Sequence, residues 1–134
     1  MLVQQIITEP DPYKRFRLSQ GYRTGDLLFI SGQAAIDDGG AVVAPGNFDA
    51  QARRAFANLE RALKAGGSSL RNVVKVTIFL TDMSNFDKVV ELRAQYFSPP
   101  YPADTIVEVR SLYSKDAMIE IEAVAVLDEA VERR

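Results

Sequence analysis

The sequence predicts an α+β domain in which a mixed sheet carries two helices on one face, in the order ββαβαββ. Val73–Leu80 is rich in β-branched residues, and Met118–Val126 alternates apolar side chains with other residues, as buried strands do. The segment that ends at Gly66-Gly67 repeats apolar residues at helical spacing, which predicts a helix. A chain of 134 residues is long enough to bury roughly 65–70% of its unfolded surface. Residues 1–134 are therefore predicted to form a single domain.

A hairpin is predicted near the start of the chain. Asp26–Ser31 is its expected second strand, Arg17–Gly21 its first strand, and Thr24-Gly25-Asp26 the turn between them. The first helix follows, and we expect Asp49 to be its N-cap. Gly66-Gly67 ends this helix.

The second helix is predicted to begin at Ser84, since Ser84 and Asp87 have the spacing of a capping box. Pro99-Pro100 ends it, because a proline pushes the preceding residue out of the helical region. Thr105–Val109 and Met118–Val126 then supply the last two strands. One side of this helix is marked by Phe86, Val89, Val90, Arg93 and Phe97.

The last strand carries apolar residues on both of its faces. One face presents Ile119, Ile121, Ala123 and Ala125, and the other presents Glu120, Glu122, Val124 and Val126. Two helices cover only one face of such a sheet, so the second face must be buried in another way. We expect self-association of the chain to bury it.

The charge and hydropathy of the chain exclude several partners. A net charge of −2 and a pI of about 5.2 come without a basic stripe. Neither nucleic acid nor an anionic membrane is therefore an expected partner. No apolar run approaches the ~20 residues that span a bilayer. The first residues lack the basic region of a signal peptide, so a cytoplasmic location is expected.

The chain contains no cysteine and no histidine. This excludes disulfides, thiolate catalysis and cysteine-based zinc sites. It also excludes Ser-His triads and the two-histidine chemistry of simple ribonucleases. Proton transfer would fall to carboxylates, lysines, tyrosines, backbone groups or water. We expect neither a cofactor nor a metal.

Two short motifs are candidates for chemistry. Glu120 and Glu122 share one face of an otherwise apolar strand, where partial burial would raise a carboxyl pKa and create a proton donor. The alternative is an exposed strand rim, or charges paired across a subunit boundary. Ser31-Gly32 offers a hydroxyl and an unobstructed backbone N–H that suit a ligand carboxylate. The alternative there is a strand end with a bulge glycine.

Three segments together resemble the RidA family of imine and enamine deaminases, also called the YjgF/YER057c/UK114 family. They are Pro99–Val109, Met118–Val126 and Ile30-Ser31-Gly32-Gln33, within a core of about residues 17–127. The resemblance implies a chorismate-mutase-like fold, assembled as a homotrimer with small-molecule clefts between its subunits.

The resemblance also implies roles for single residues. Glu120 is the first glutamate of Ile-Glu-Ile-Glu and would order the water that attacks the imine carbon, whereas Glu122 is left structural. Ser31 and Gly32 would hold the ligand. Phe86, at the start of the second helix, would form a wall of the cleft or else belong to the core.

The chain departs from the family pattern at the cleft. Asp104 stands where the deaminating members carry an arginine that clamps the substrate carboxylate. A carboxylate ~4 Å from Asp104 would be repelled by about 4 kcal/mol at an effective dielectric of ~20. Thr105 and Ile106 follow Asp104, and Ile106 stands where members of the family carry a small Cys or Thr. Near the start of the chain, Leu18 replaces a tyrosine of the family pattern.

Two functions remain open from the sequence. The first is cofactor-free hydrolysis of an enamine or imine C=N bond with release of ammonia, on a substrate other than 2-iminopropionate. The second is a non-catalytic small-molecule-binding or regulatory trimer that keeps the family cleft. If another cation replaces the clamping arginine, the candidates are Arg17 and Arg23 of a neighbouring subunit. Ribonuclease activity is disfavoured by the missing histidines and the negative charge.

Overall fold

The computed structural model describes residues 1–132, and in it six strands form one mixed sheet of order β1-β2-β3-β6-β4-β5. Only β4 and β5 run parallel to each other, and the other neighbours are antiparallel. The helices are α1 (Phe48–Ala65) and α2 (Phe86–Tyr96). The strands are β1 (Val3–Ile6), β2 (Gly21–Thr24), β3 (Leu27–Ala34), β4 (Val73–Leu80), β5 (Ala103–Glu108) and β6 (Ile119–Val126).

The predicted order ββαβαββ is confirmed apart from one additional strand at the start. β1 pairs antiparallel with β2, with Val3 opposite Thr24. The first hairpin arm is Gly21–Thr24 and not Arg17–Gly21. Arg17 has a left-handed φ of 60° and closes the 3-10 turn Lys14–Phe16, so the chain is not extended there. Gly25 supplies the positive φ that the hairpin turn requires.

The predicted N-caps of both helices are wrong. The Asn47 side chain caps α1 by accepting from the Ala50 N–H at 3.0 Å, while Asp49 lies in the first turn. Asp82 accepts from the Ser84 N–H at 2.9 Å and caps the 3-10 turn Met83–Asn85. Ser84 therefore lies inside a turn that precedes α2, and no capping box forms.

The core lies between the helices and one face of the sheet. Helix α1 packs against β3 and β6, and the Phe56 ring of α1 stacks on the Tyr96 ring of α2 with centroids 4.2 Å apart. Burying these apolar side chains is the main favourable term for the fold. The side chains removed from solvent include Leu28, Ala52, Ala55, Leu59, Leu63, Val76, Ile78, Leu80, Ile119 and Ile121.

The opposite face of the sheet remains open in a single chain, and large apolar side chains are exposed on part of it. On β3, Leu27 and Phe29 are 40% and 46% exposed, whereas the alternating Leu28 and Ile30 are buried. Phe79, Val107, Val124 and Val126 lie partly exposed on the same face. This is the uncovered second face that the sequence indicated.

Across residues 1–132, no helix combines the length and the hydropathy needed to cross a membrane. The cytoplasmic location stays a prediction.

Candidate functional site

A cavity of about 450 Å³ opens beside β3 and β6. Its size suits a small-molecule ligand. We call it the Glu120 cavity. Its walls combine carboxylates, hydroxyls and apolar side chains, namely Tyr13, Phe16, Leu18, Ser31, Gly32, Ala34, Tyr113, Glu120 and Glu122. Of the predicted site residues, Leu18, Ser31, Gly32 and Glu120 are thus brought together.

Gly32 gives the Glu120 side chain its place. The pairing of β3 with β6 is irregular between Ile30 and Gln33, so Ser31 and Gly32 lie in a β-bulge. A Cβ atom on Gly32 would lie 2.7 Å from both Cδ and Oε2 of Glu120. The absence of a side chain at Gly32 therefore lets the carboxyl group lie against the bulge.

The Glu120 carboxyl group is the ionisable group best placed for proton transfer. Burial raises the pKa of Glu120, and the nearby charge of Glu122 raises it further. Both causes disfavour the ionised form. A carboxyl group with a raised pKa gains and loses its proton nearer to neutral pH than an ordinary glutamate does. It can therefore act both as a proton acceptor and as a proton donor.

Ser31 lines the cavity, but its hydroxyl hydrogen is already used. The Ser31 hydroxyl donates to the Ser19 carbonyl at 2.6 Å, and the Ser31 N–H donates to the Gln20 carbonyl at 2.9 Å. A ligand carboxylate would have to compete with the Ser19 carbonyl for this hydrogen. The ligand-binding role of Ser31 stays a prediction.

Tyr13 is a cavity residue that the sequence reasoning missed. Its hydroxyl donates to the Gly32 carbonyl and accepts from the Ala34 N–H at 3.2 Å, so it bridges the bulge. Burial raises the pKa of Tyr13, and the Glu120 charge adds to this shift. Tyr13 therefore stays a neutral hydroxyl that fixes the backbone around Gly32.

Tyr113 is a second cavity residue that the sequence reasoning missed. It lies in the loop between β5 and β6, and its ring packs edge-on against Phe16 with centroids 5.6 Å apart. Gln51 fixes this loop by donating to the Asp116 carbonyl at 2.8 Å and accepting from the Met118 N–H at 2.9 Å. Tyr113 thus contributes a hydroxyl group to the cavity wall, whereas the Leu18 side chain contributes none.

The remaining predicted site residues do not line the Glu120 cavity of the same chain. Asp104 and Ile106 pair with the buried Val76 and Ile78 of β4 and face the helices. Thr105 faces the opposite side and accepts from the Lys75 ammonium at 2.9 Å. Phe86 and Asp104 instead each lie beside Arg93 of α2.

Asp104 forms an ion pair with a helix residue. Its Oδ2 accepts from Nε of Arg93 at 2.8 Å. The guanidinium carbon of Arg93 lies 5.9 Å from the centre of the Phe86 ring. Asp104 Oδ1 is buried without a hydrogen-bond partner among the described residues. The negative charge that the sequence placed in the cleft is thus paired within its own subunit.

This ion pair borders a second cavity, of about 470 Å³, which we call the α2–β5 cavity. It is lined by Val90, Arg93, Ala94, Phe97, Tyr101, Pro102 and Asp104. It lies on the edge strand β5, whereas the Glu120 cavity lies at β3 and β6.

Neither candidate replacement arginine lines either of these two cavities within residues 1–132. Arg23 donates to the Gly25 carbonyl at 3.2 Å, beside its own hairpin turn. Arg17 is exposed at the end of its 3-10 turn. The part of the chain that is described contains no cluster of three or more acidic residues able to hold a metal ion.

Known proteins are similar to this chain over almost its whole length. The family model described as Endoribonuclease L-PSP matches residues 7–127. A RutC family protein of Pyrococcus horikoshii is 42% identical over 120 residues, which cover 90% of this chain and 94% of that protein. The 2-iminobutanoate/2-iminopropanoate deaminase of Bos taurus is 36% identical over 126 residues, which cover 93% and 91% of the two chains.

A solved structure is similar as well. RidA from the Antarctic bacterium Psychrobacter superimposes with a TM-score of 0.84 at 35% identity, covering 92% of this chain and 99% of that one.

Proposed function

Because this chain belongs to the RidA family, we propose that it hydrolyses the C=N bond of an imine, or of the imine form of an enamine, and releases ammonia. The observation that carries the proposal is the Glu120 carboxyl group, which has a raised pKa and faces a ligand-sized cavity beside Gly32. Its position suits the activation of a water molecule.

The chemistry uses Glu120 as base and then as acid. Glu120 takes a proton from water while the water oxygen attacks the imine carbon, and the C=N electron pair moves to nitrogen. Glu120 then returns the proton to nitrogen. The hydroxyl proton of the resulting carbinolamine then passes to nitrogen, the C–N bond breaks and a C=O bond forms, so one imine and one water give one carbonyl compound and one ammonia. An enamine first takes a proton on carbon and loses one from nitrogen to become the imine.

The active assembly in this proposal is a homotrimer with clefts between subunits. Its support is the open sheet face, where Leu27 and Phe29 are exposed although they are large and apolar. An exposed apolar face of this kind is typical of an interaction surface. In such an assembly, we place β5 and the start of α2 of one subunit against the Glu120 cavity of the next, which brings Phe86 and Asp104 near the ligand.

We further propose that 2-iminopropionate is a poor substrate. Asp104 places a negative charge where the deaminases that the chain resembles carry an arginine, and this charge opposes the substrate carboxylate. Leu18 lines the cavity wall without a hydroxyl group. RNA cleavage is not proposed, because the chain has no histidine and carries a net charge of −2.

The test measures ammonia release from a panel of imines generated in the assay by an amino-acid or amine oxidase, with and without a carboxylate. We expect at least one imine to be hydrolysed well above its spontaneous rate, and 2-iminopropionate to react slowly. If no imine reacts but small 2-oxo acids bind stoichiometrically, the non-catalytic binding trimer is the correct function.

A further inference from the structure

The guanidinium group of Arg93 lies between two residues that the sequence assigned to the cleft. It donates to Asp104 at 2.8 Å and lies over the Phe86 ring. The side chains of Arg93 and Asp104 are 24% and 17% exposed. The group is therefore held in one orientation, on a cavity wall shielded from most solvent.

Most of the donors of this guanidinium group remain available. Among residues 1–132, Nε of Arg93 has an acceptor and the two Nη groups have none. The planar fork of a guanidinium group matches both oxygens of a carboxylate. Arg93 therefore presents unused donors, in a fixed geometry, at the α2–β5 cavity.

The Glu120 cavity needs a cation from elsewhere if its ligand is an anion. The charged residues lining that cavity in the described chain are Glu120 and Glu122, and both are acidic. An anionic ligand is repelled by such a site unless a cation completes it. In the proposed trimer, a neighbouring subunit is the available source of that cation.

We propose that Arg93 binds the carboxylate of an anionic imine, in a cleft completed by Glu120 of the next subunit. This inference rests on the proposed function and its trimer. Asp104 is the positioning residue, because it fixes the guanidinium through Nε and directs the Nη groups outwards. It also competes for the same positive charge, so it weakens the binding of the anion while orienting the arginine.

This dual role of Asp104 gives two substitutions opposite effects. Arg93→Gln removes the forked donor, and we expect it to raise KM for a carboxylate-bearing imine ~10-fold or more. Asp104→Asn keeps an oxygen acceptor for Nε and removes the competing charge, so the same KM should fall several-fold. For an imine without a carboxylate, both variants should change KM much less than they do for the carboxylate-bearing imine.

Controls separate binding from folding. Arg53→Gln removes an exposed arginine of α1 that lines neither cavity, and it should leave all kinetic constants unchanged. Arg93→Lys keeps the charge without the fork, and should recover part of the lost affinity. Circular dichroism and light scattering check that each variant keeps the wild-type fold and assembly. If Arg93→Gln does not fold, Asp104→Asn and Arg93→Lys still give the test.

Mixed trimers test the arrangement across subunits. Subunits carrying Glu120→Gln and subunits carrying Arg93→Gln are each expected to have little activity toward the anionic imine. In a random one-to-one mixture of a closed trimer, about a quarter of the clefts contain both native side chains. Activity should return to about that fraction. No recovery, with mixing proven by differently tagged subunits, would overturn the placement of Arg93 opposite Glu120.

The outcomes also separate this inference from the proposed function. If the wild type hydrolyses imines but Arg93→Gln has an unchanged KM for the carboxylate-bearing imine, Arg93 is a structural residue and the hydrolase stands. If the wild type hydrolyses no imine, titration with pyruvate measures the same contact directly. Weaker pyruvate binding by Arg93→Gln than by Arg53→Gln then supports the anion site, and equal binding overturns it.

Discussion

A Cβ atom on Gly32 would lie 2.7 Å from the carboxyl carbon of Glu120. This close approach links the β-bulge of β3 to the group that we propose as the base. Tyr13 supports the same bulge by donating to the Gly32 carbonyl. The position of the Glu120 carboxyl therefore depends on backbone geometry as well as on the identity of residue 120.

Gly32→Ala should separate activity from stability. The added methyl meets the far end of a flexible side chain, so the Glu120 carboxyl moves and the fold is retained. We expect kcat to fall ~10²-fold or more, which is the usual contribution of a positioned acid or base. The melting temperature should change little in comparison. An unchanged kcat in the folded variant would show that the bulge does not position Glu120.

The stability of the protein should depend on pH through Glu120. Burial raises the pKa of this carboxyl group in the folded state. The folded state thus holds a proton that the unfolded state loses near its ordinary value of about 4.3. The contribution of Glu120 to stability is therefore greatest below that value, and it is lost as the pH rises through the raised pKa. Glu120→Gln has no such loss, so its melting temperature should exceed that of the wild type by an amount that increases with pH.

Thermal unfolding of both proteins at several values between about pH 4 and pH 8 checks this prediction. A difference in melting temperature that is constant or decreases with pH would contradict it.

Phe29→Glu should disrupt the assembly. Phe29 is large, apolar and 46% exposed on the open face of the sheet, so a charge there would have to be buried in a trimer. We expect light scattering to show a trimeric wild type and a smaller species for the variant, with loss of activity. Ala57→Glu, on the exposed side of α1, is the control and should leave the mass unchanged. A wild-type monomer at micromolar concentration would contradict the trimer itself.

The Arg93–Asp104 pair should show energetic coupling. Asp104→Arg places a second guanidinium beside Arg93, and it should destabilise the protein because two like charges then share a largely buried position. The exchanged variant Arg93→Asp/Asp104→Arg restores an ion pair. We expect a coupling free energy of about 0.5–3 kcal/mol between the two substitutions in chemical unfolding. Additive effects would show that the pair contributes little to stability.

Asp104→Arg alone removes the carboxylate that competes for an anion and adds a second guanidinium. This single variant should therefore bind pyruvate ~10-fold or more tightly than the wild type. Leu18 still leaves the cavity wall apolar in this variant, so binding is expected to recover more than turnover.

Much of the fold was predictable because its periodic segments are unambiguous. Val73–Leu80 was predicted with the bounds that β4 has, and Met118–Val126 differs from β6 by one residue. The N-caps were mispredicted because several residues that can cap lie close together, as Asn47 and Asp49 do. β1 was missed because only Ile6 of its four residues is buried, so it lacks a buried alternating pattern.

The candidate site was predictable where its residues belong to a short motif. Ser31, Gly32 and Glu120 come from such motifs and share one cavity. Tyr13 and Tyr113 come from irregular segments, so no periodicity marks them. The pairing of Arg93 with Asp104 depends on how α2 packs on β5, and helical spacing alone does not reveal that contact.

The most direct test of the account compares Glu120→Gln with the wild type in the ammonia-release assay, using the imine that the wild type hydrolyses fastest. The amide cannot take a proton from water, so we expect turnover to fall ~10²–10⁴-fold. Binding of the carbonyl product, measured by calorimetry, should remain close to that of the wild type. Equal turnover in a folded Glu120→Gln variant would assign Glu120 to structure and contradict the proposed mechanism.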